Sequence, residues 1–462
     1  LHIYAYLAAF FQSGQVYSEK EVNQLLTRYL VCNDHVTVRR DMCDFRYLQR
    51  ERDGARYWRM SDIPSESKEE RSMDKPETSS LTATIAERVL AETFGSPVRL
   101  GSGCDLGGSA RSSVQRFPII EGPVSTPTSV IVKQVNNDTF DPDAANDATW
   151  MLFNDWASMQ FLRQVEMPTP LVPTFYGGDR QTGLFVIEDL GAGTRLDYLL
   201  LGDNAEAAEA GMLTYAEIHG RLHARTMGRQ AEYLRIREAL GPATSLSEYY
   251  AYDHLVPALH VIAELLALPL QPEVDDELAA LKETLLDPGP FLAFVQSDAA
   301  PDNFLRSGTG WRLIDFEGGR YTHALLEGVY CRMPFPTCWC VYRMPEPIIQ
   351  RAEAVYRAEL ARACPTAADD TLFYRAVVEA CITWALNFHA HLRPLDKMLV
   401  QDRSLVALTD RQRFLLYVNA AADASEQFGH MRATGGSLRA IATRLAQIWP
   451  EAVEPAYYPA FS

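Results

Sequence analysis

One short stretch of this 462-residue chain holds side chains whose types and spacing suit the handling of charge. It reads Val295-Gln296-Ser297-Asp298-Ala299-Ala300-Pro301-Asp302-Asn303-Phe304-Leu305, and Trp311-Arg312-Leu313-Ile314-Asp315-Phe316-Glu317 follows. An apolar run delivers Asp298, Asn303 comes five residues later, and a second apolar run delivers Asp315. A carboxylate and a carboxamide that aim oxygens at one point suit a hard cation such as Mg²⁺. A second carboxylate, free of metal, can orient a hydroxyl and receive its proton. Positioning, charge neutralisation and orientation of the nucleophile are what phosphoryl transfer asks of a protein. Taken singly, Asp298, Asp302 and Asp315 read as turn formers. The D-x-x-x-x-N spacing, with I-D-F after a strand, favours the chemical reading.

These residues resemble the motifs of the aminoglycoside phosphotransferase and choline kinase-like family, relatives of protein kinases. That family's catalytic loop reads H-G-D-x-x-x-x-N and its metal-binding segment reads I-D-F/W. The resemblance spans about residues 82–340 and implies Asp298 as the catalytic aspartate, with Asn303 and Asp315 as Mg²⁺ ligands. It implies ATP as the phosphoryl donor and a hydroxyl of a small molecule as the acceptor. Gln296 stands where the family has His; it can hydrogen-bond but cannot become charged.

An upstream strand-rich segment must then meet the nucleotide. Lys133 ends the apolar run Ser129-Val130-Ile131-Val132 and is expected to reach phosphates as a compact point charge. Asp155 stands where the family has Glu, the carboxylate partner of that Lys, and is one methylene shorter. The run Leu100–Arg111 contains Gly101, Gly103, Gly107 and Gly108, which let backbone N–H groups approach phosphates, with Arg111 as a candidate helper. Leu184-Phe185-Val186-Ile187-Glu188-Asp189-Leu190-Gly191 resembles the hinge joining two lobes, where backbone groups near Glu188 and Leu190 would bind an adenine ring.

The elements that must position these residues are readable from periodicity. Strands are expected at Val114–Ile120, Ser129–Val135, Leu184–Glu188, Phe291–Gln296 and Trp311–Phe316. A helix is expected from Ser80 to Glu92 with Gly95 as C-cap, and another from about Asp143 to Gln164. Helices then dominate at 205–227, 245–267, 273–286, 347–363, 368–390, 409–427 and 437–448. This is an α+β pattern, and the resemblance makes it a protein-kinase-like two-lobed fold with a small β-rich N-lobe and a large helical C-lobe.

Residues 61–80 have almost no apolar side chains and read as a solvated linker. The expected organisation is therefore a small domain at 1–60, a linker at 61–80, the N-lobe at 81–192 and the C-lobe at 193–462. Within the first, Leu7–Phe11 carries a short helical stripe, Ser18 and Glu21 have capping-box spacing, a helix is expected from about Val36 to Phe45, and Asp53-Gly54 signals a hairpin. That outline is winged-helix-like, and the segment resembles a small bacterial domain of unknown function often found beside helix-turn-helix regulators.

Net charge is −17, unevenly spread: residues 1–60 carry nine basic and seven acidic side chains, and the rest is strongly acidic. Such a body is a poor general binder of nucleic acid, while the N-terminal piece remains a candidate for contact with nucleic acid or protein. No apolar stretch is long enough to span a membrane, and the opening Leu1–Phe11 lacks a basic region and cleavage site, so a cytoplasmic protein with reduced thiols is expected. Cys331, Cys338 and Cys340 lie close together but lack C-x-x-C spacing and a fourth ligand for zinc. His219 and His223 read as structural, His389 and His391 have no evident partner, and Trp384, Leu386 and Phe388 read as core. Gln296 and Asp155 also leave an alternative, a non-catalytic kinase-fold regulator that senses a nucleotide or metabolite.

Overall fold

The computed structural model describes residues 11, 15–29, 38–39, 42–43, 48–51, 56–59, 76–108, 112–136, 140–144, 146–166, 169–242, 251–308, 310–403 and 407–462. These fall into two compact units, one drawn from Leu1–Pro142 and Phe175–Asp189, the other from Asp143–Thr174, Leu190–Arg403 and Ala407–Ser462. The Leu7–Phe10 part of the first stripe, most of the expected 36–45 helix, the Asp53-Gly54 turn and Arg111 lie outside the described residues. So do residues 61–75 of the expected linker.

The first unit begins with β1 (Tyr17–Ser18), α1 (Glu19–Tyr29), β2 (Leu48–Arg50) and β3 (Arg56–Arg59). The capping box forms as expected: Ser18 N–H donates to Glu21 at 2.7 Å, and Glu21 N–H donates back to Ser18 Oγ at 3.3 Å. β3 lies between β1 and β2, with Tyr17 opposite Tyr57 and Leu48 opposite Arg59. Phe11, Tyr17, Val22, Leu26, Leu48 and Tyr57 are buried in a core of their own.

Then comes α2 (Pro76–Phe94), which starts four residues before the expected Ser80. Proline is suited to a helix's first position because the N–H it lacks would have no partner there. Gly95, at φ +66°, ends the helix as expected. Next come β4 (Arg99–Leu100), β5 (Cys104–Gly108), β6 (Ser112–Glu121) and β7 (Ser129–Val135). After the long excursion of residues 143–174 into the second unit, β8 (Phe175–Asp179) and β9 (Leu184–Glu188) return to complete the sheet. Its order is β4-β6-β7-β9-β8, with β5 also paired to β6. The sequence reading missed β8, whose Gly177 and Gly178 dilute any strand signal.

The pleat sorts this sheet into two faces. Phe117, Val130, Val132, Leu184 and Val186 pack under α2 on Ile85, Val89 and Leu90. Val114, Arg116, Ile131, Lys133, Phe185 and Ile187 are opposite one another in register and occupy the other face.

The second unit is mostly helical. It contains α3 (Asp147–Arg163), β10 (Thr194–Arg195), α4 (Leu196–Leu200), α5 (Ala205–Thr226), α6 (Gln230–Leu240), α7 (Leu255–Leu265) and α8 (Val274–Leu286). β11 (Leu292–Val295), β12 (Phe304–Ser307), β13 (Gly310–Leu313) and β14 (Arg320–His323) form two short hairpin-like pairs, β11 with β14 and β12 with β13. They are followed by α9 (Leu325–Gly328), α10 (Glu346–Leu360), α11 (Asp370–Asn387), α12 (Leu395–Val400), α13 (Asp410–Phe428) and α14 (Arg432–Ile448). α5 packs on α10, and α13 packs on both α11 and α14.

The α+β class holds, and the expected strands and long helices appear within a few residues of their predicted ends, apart from two. The 245–267 helix is described only from Leu255, and the expected strand Trp311–Phe316 stops at Leu313. It stops because Asp315 takes φ +66°, outside any strand geometry. His389, expected without a partner, accepts the Leu395 N–H at 2.9 Å and so caps α12. Trp384, Leu386 and Phe388 are core, as expected. No described helix is long and apolar enough to cross a membrane.

Gly101 and Gly103 are required by crowding. A Cβ on Gly103 would lie 2.6 Å from the ring of Phe117, a fully buried member of the α2 core. Gly103→Ala is therefore expected to destabilise the first unit by about 1–3 kcal/mol, read as a lower midpoint in urea titration.

Candidate active site

Each hairpin-like pair of the second unit ends at a candidate residue. β11 is an apolar, almost wholly buried Leu-Ala-Phe-Val, and the chain leaves it through Gln296 and Ser297 to reach Asp298. β13 ends at Leu313, and the chain leaves it through Ile314 to reach Asp315. Ser297 (φ +71°) and Asp315 both sit in the left-handed region, which costs a non-glycine residue of order 1 kcal/mol or more and needs surrounding structure to hold it.

That structure is visible. Ser297 N–H donates to the Glu327 carboxylate, a fully buried group on α9. Its other oxygen lies 3.0 Å from His223 Nε2 on α5, and His223 Nδ1 lies 2.8 Å from the Tyr356 hydroxyl on α10. Burial alone would raise the Glu327 carboxyl, but His223, His219 and the Ser297 N–H hold it below its ordinary range. Ser297 Oγ accepts from Arg320 at 2.7 Å. The Gln296 amide donates to Ile314 O at 2.6 Å, so an uncharged side chain ties the Asp298 turn to the Asp315 turn. His219 and His223 are structural, as expected, and His223 supports the turn directly.

The Asp315 side is clamped from α3. Asp155, almost fully buried, accepts the Phe316 N–H at 3.0 Å. Asn154 donates to Glu317 O at 2.8 Å and Gly319 O at 2.7 Å, and accepts from the Tyr233 hydroxyl at 2.6 Å. The loop passes so close to its neighbours that a Cβ on Gly319 would lie 2.7 Å from Ser158 Oγ.

The three expected residues of the second unit come together. Asn303 Nδ2 donates to Asp298 O at 3.0 Å and to Asp298 Oδ2 at 3.2 Å, so the amide nitrogen of Asn303 is turned to Asp298. Ile314 N–H donates to Asn303 O at 3.0 Å, linking the two turns again. Burial pushes the Asp298 carboxyl up to about 7, the charges of Asp302 and Asp315 add to this, and hydrogen bonds from Thr337 and Asn303 oppose it. The Asp298 residue is nonetheless exposed, so water screens part of that effect.

Among the described residues, no group of three His, Cys, Asp or Glu side chains is arranged to hold a metal ion. Asn303 and Asp315 fit Mg²⁺ only in the manner usual for that ion, one carboxylate and one further oxygen, with water and substrate phosphates completing the shell.

Sequence reading missed the segment that follows α9. Trp339 Nε1 donates to Asp302 Oδ2 at 3.1 Å, and Thr337 works against the upward shift of the Asp298 carboxyl. Asp302 Oδ1 is buried without a hydrogen-bond partner among the described residues. Nearby, Arg195 forms a two-pronged pair with fully buried Asp197, at 3.0 and 2.7 Å. None of these residues carries a spacing signal.

In the first unit, Lys133 lies on the sheet face opposite the α2 core, across from Val114 and Phe185. Gly101 N–H is bonded to Pro118 O at 2.8 Å, while Gly107 and Gly108 are strand residues paired with Val114 and Ser113. Glu188 is the last residue of β9, and Leu190 is the first residue after the division between the units. Asp189 is anchored between them: it accepts from Arg116 at 2.6 and 2.9 Å and from Ser129 at 2.6 Å.

Residues 1–59 match a family described as an uncharacterized protein conserved in bacteria (DUF2087). No curated protein matches the chain. Among solved structures, a choline kinase from Cryptosporidium parvum Iowa II is 10% identical, with 78% of this chain and 90% of that one covered and a TM-score of 0.37. A choline/ethanolamine kinase family protein from Mesorhizobium loti is 14% identical, covering 79% and 99%, at 0.36. The amicoumacin kinase hAmiN, in complex with AMP-PNP, Ca²⁺ and Ami, is 12% identical, covering 75% and 88%, at 0.38. At such scores, function must be read from this chain's own residues.

The Glu327 carboxylate is expected to be indispensable to the Ser297 turn. Glu327→Ala strands a buried N–H and the His223 imidazole, and should cost about 3 kcal/mol or more in urea titration. Glu327→Gln retains an acceptor for Ser297 and should cost distinctly less.

Proposed function

We propose that this chain is an ATP-dependent phosphotransferase that acts on a hydroxyl of a small molecule. The observation that carries the reading is the arrangement around Asp298: a solvent-reaching carboxylate on a strained, buttressed turn, bonded to Asn303 and facing the charge of Asp315. The pieces match the tasks of phosphoryl transfer, in which the protein mainly positions groups and offsets charge.

In this reading the acceptor hydroxyl donates its hydrogen bond to Asp298. As the oxygen attacks the γ-phosphorus, its proton passes to Asp298, the bond to the bridging oxygen breaks, and ADP leaves. Asn303 and Asp315 are the proposed Mg²⁺ ligands, and the ion when bound supplies neutralising charge to the donor's phosphates. Lys133 is the proposed phosphate-binding cation of the first unit, with the glycine-rich run beside it, and the backbone at Glu188 and Leu190 is the proposed adenine contact. Asp155, which accepts the Phe316 N–H, is the proposed carboxylate partner of the phosphate-binding Lys.

Gln296 supports catalysis rather than the regulator alternative, because its bond to Ile314 O supplies the loop-to-loop tie without a charge. A cytoplasmic, reduced setting is part of the same proposal, as is contact of residues 1–59 with nucleic acid or protein.

Incubation with Mg-ATP and a panel of aminoglycosides, nucleoside antibiotics, choline and sugars should give acceptor-dependent ADP release. No release with any acceptor, alongside normal nucleotide binding, would favour the regulator. Asp298→Ala should lower turnover by at least about a thousandfold while sparing Mg-nucleotide binding, a change in the range of lost general-base and positioning contributions; an unchanged rate sinks the assignment. Asp315→Ala should instead weaken metal-dependent nucleotide binding.

The pH profile offers a further check. The base must be ionised, so kcat/KM should fall on the acid side, with a limb raised from the ordinary carboxylate range toward, but below, about 7. Asp302→Asn removes a neighbouring negative charge that raises the Asp298 carboxyl, so the same limb should move to lower pH.

A further inference from the structure

Cys338 and Cys340 have a relationship that neither the metal reading nor the phosphotransferase reading uses. Both are buried free thiols, at 2% and 0% exposure, and their Sγ atoms lie 2.8 Å apart. Two thiolates sharing a zinc ion, each about 2.3 Å from it in tetrahedral geometry, would stand much farther apart. The sulfurs are instead within a short movement of a covalent S–S bond of about 2.05 Å. Cys340 N–H donates to Cys338 Sγ at 3.2 Å, so negative charge on Cys338 is the better supported of the two.

The residues on either side of Cys338 touch the candidate site. Trp339, which lies between the two cysteines, donates to Asp302 at 3.1 Å, and Thr337 on the other side lowers the Asp298 carboxyl. The segment is held from behind: Arg413 donates to Cys338 O at 3.1 Å and Pro336 O at 3.3 Å, and Tyr417 donates to Pro334 O at 3.2 Å. Any change in the Cys338–Cys340 geometry must therefore be taken up at Trp339 rather than by the flanking backbone.

We propose that Cys338 and Cys340 are a modification site: a dithiol that hydrogen peroxide converts to an intrachain disulfide, which alters the Trp339 contact with the Asp298–Asn303 loop. The Cys338 thiol first releases its proton; the thiolate then attacks one peroxide oxygen, the O–O bond breaks, and the departing hydroxide combines with the released proton to become water. Cys338 is then a sulfenic acid. The Cys340 sulfur attacks it, the S–O bond breaks, and the leaving hydroxide takes the Cys340 proton as a second water. Two thiols and one peroxide thus give one disulfide and two waters, the sulfurs losing two electrons to the O–O bond. Burial raises both thiols above their ordinary range, so the reaction is slow and needs sustained exposure. A dithiol reductant reverses it by exchange.

The test uses the full chain, treated with hydrogen peroxide or dithiothreitol, alkylated, digested and weighed. The peptide spanning Cys338 and Cys340 should appear two hydrogens lighter and unalkylated after peroxide, and return to the doubly alkylated form after dithiothreitol. In Cys340→Ser, and separately in Cys340→Ala, the same treatment should leave Cys338 trappable by a sulfenic-acid reagent. Full alkylation of both cysteines after peroxide, or linkage of either to another cysteine, overturns the site. Tryptophan emission should also fall on oxidation, and that fall should vanish in Trp339→Phe; an equal fall in the variant overturns the coupling to Trp339. Neither readout requires phosphoryl transfer, so failure of the proposed activity would be separate from failure of this site.

Discussion

The candidate site depends on satisfying backbone groups where the chain turns against its own preference. Ser297 and Asp315 occupy left-handed backbone conformations without being glycine, and each lies beside a candidate carboxylate or is one. Left alone, such turns would relax. They persist because buried polar side chains bind the peptide groups around them: Glu327 takes Ser297 N–H, Gln296 gives to Ile314 O, and Asp155 takes Phe316 N–H. A buried peptide group without a partner costs about 1–3 kcal/mol, so these bonds set where Asp298 and Asp315 point.

Around those turns the electrostatics is one-sided. The charges of Asp302 and Asp315 add to the burial that raises the Asp298 carboxyl, and Thr337 and Asn303 only partly offset this. The net charge of −17 over the whole chain gives no relief at long range. In the proposed reading, a metal ion held by Asn303 and Asp315 would supply charge of the opposite sign.

The legible part of the site was the part encoded in short spacing. Asp298, Asn303 and Asp315 lie within eighteen residues of one another, and their order along two apolar runs is a local pattern. Their supports are distant in the chain. Asn154 and Asp155 reach Phe316–Gly319 from more than 160 positions away, and His223 reaches Glu327 across 104. Glu327, Thr337 and Trp339 sit in stretches whose periodicity says nothing about what they touch. Elements were missed for an equally physical reason: β8 contains two glycines, and β12 (Phe-Leu-Arg-Ser) and β14 (Arg-Tyr-Thr-His) lack the continuous apolar run that marks the equally short β11.

By itself the sequence determined the α+β class, the capping box at Ser18, the long helices, and the three residues that carry the proposed chemistry. These depend on neighbours a few positions apart, where helix and strand periods and motif spacing act. Only the tertiary structure decided which buried groups hold those residues in place, that Gly103 answers to Phe117, and that Cys338 and Cys340 meet beside the Asp302 contact of Trp339. Such pairings are set by which surfaces pack together once the apolar faces are buried, and no local pattern records that choice.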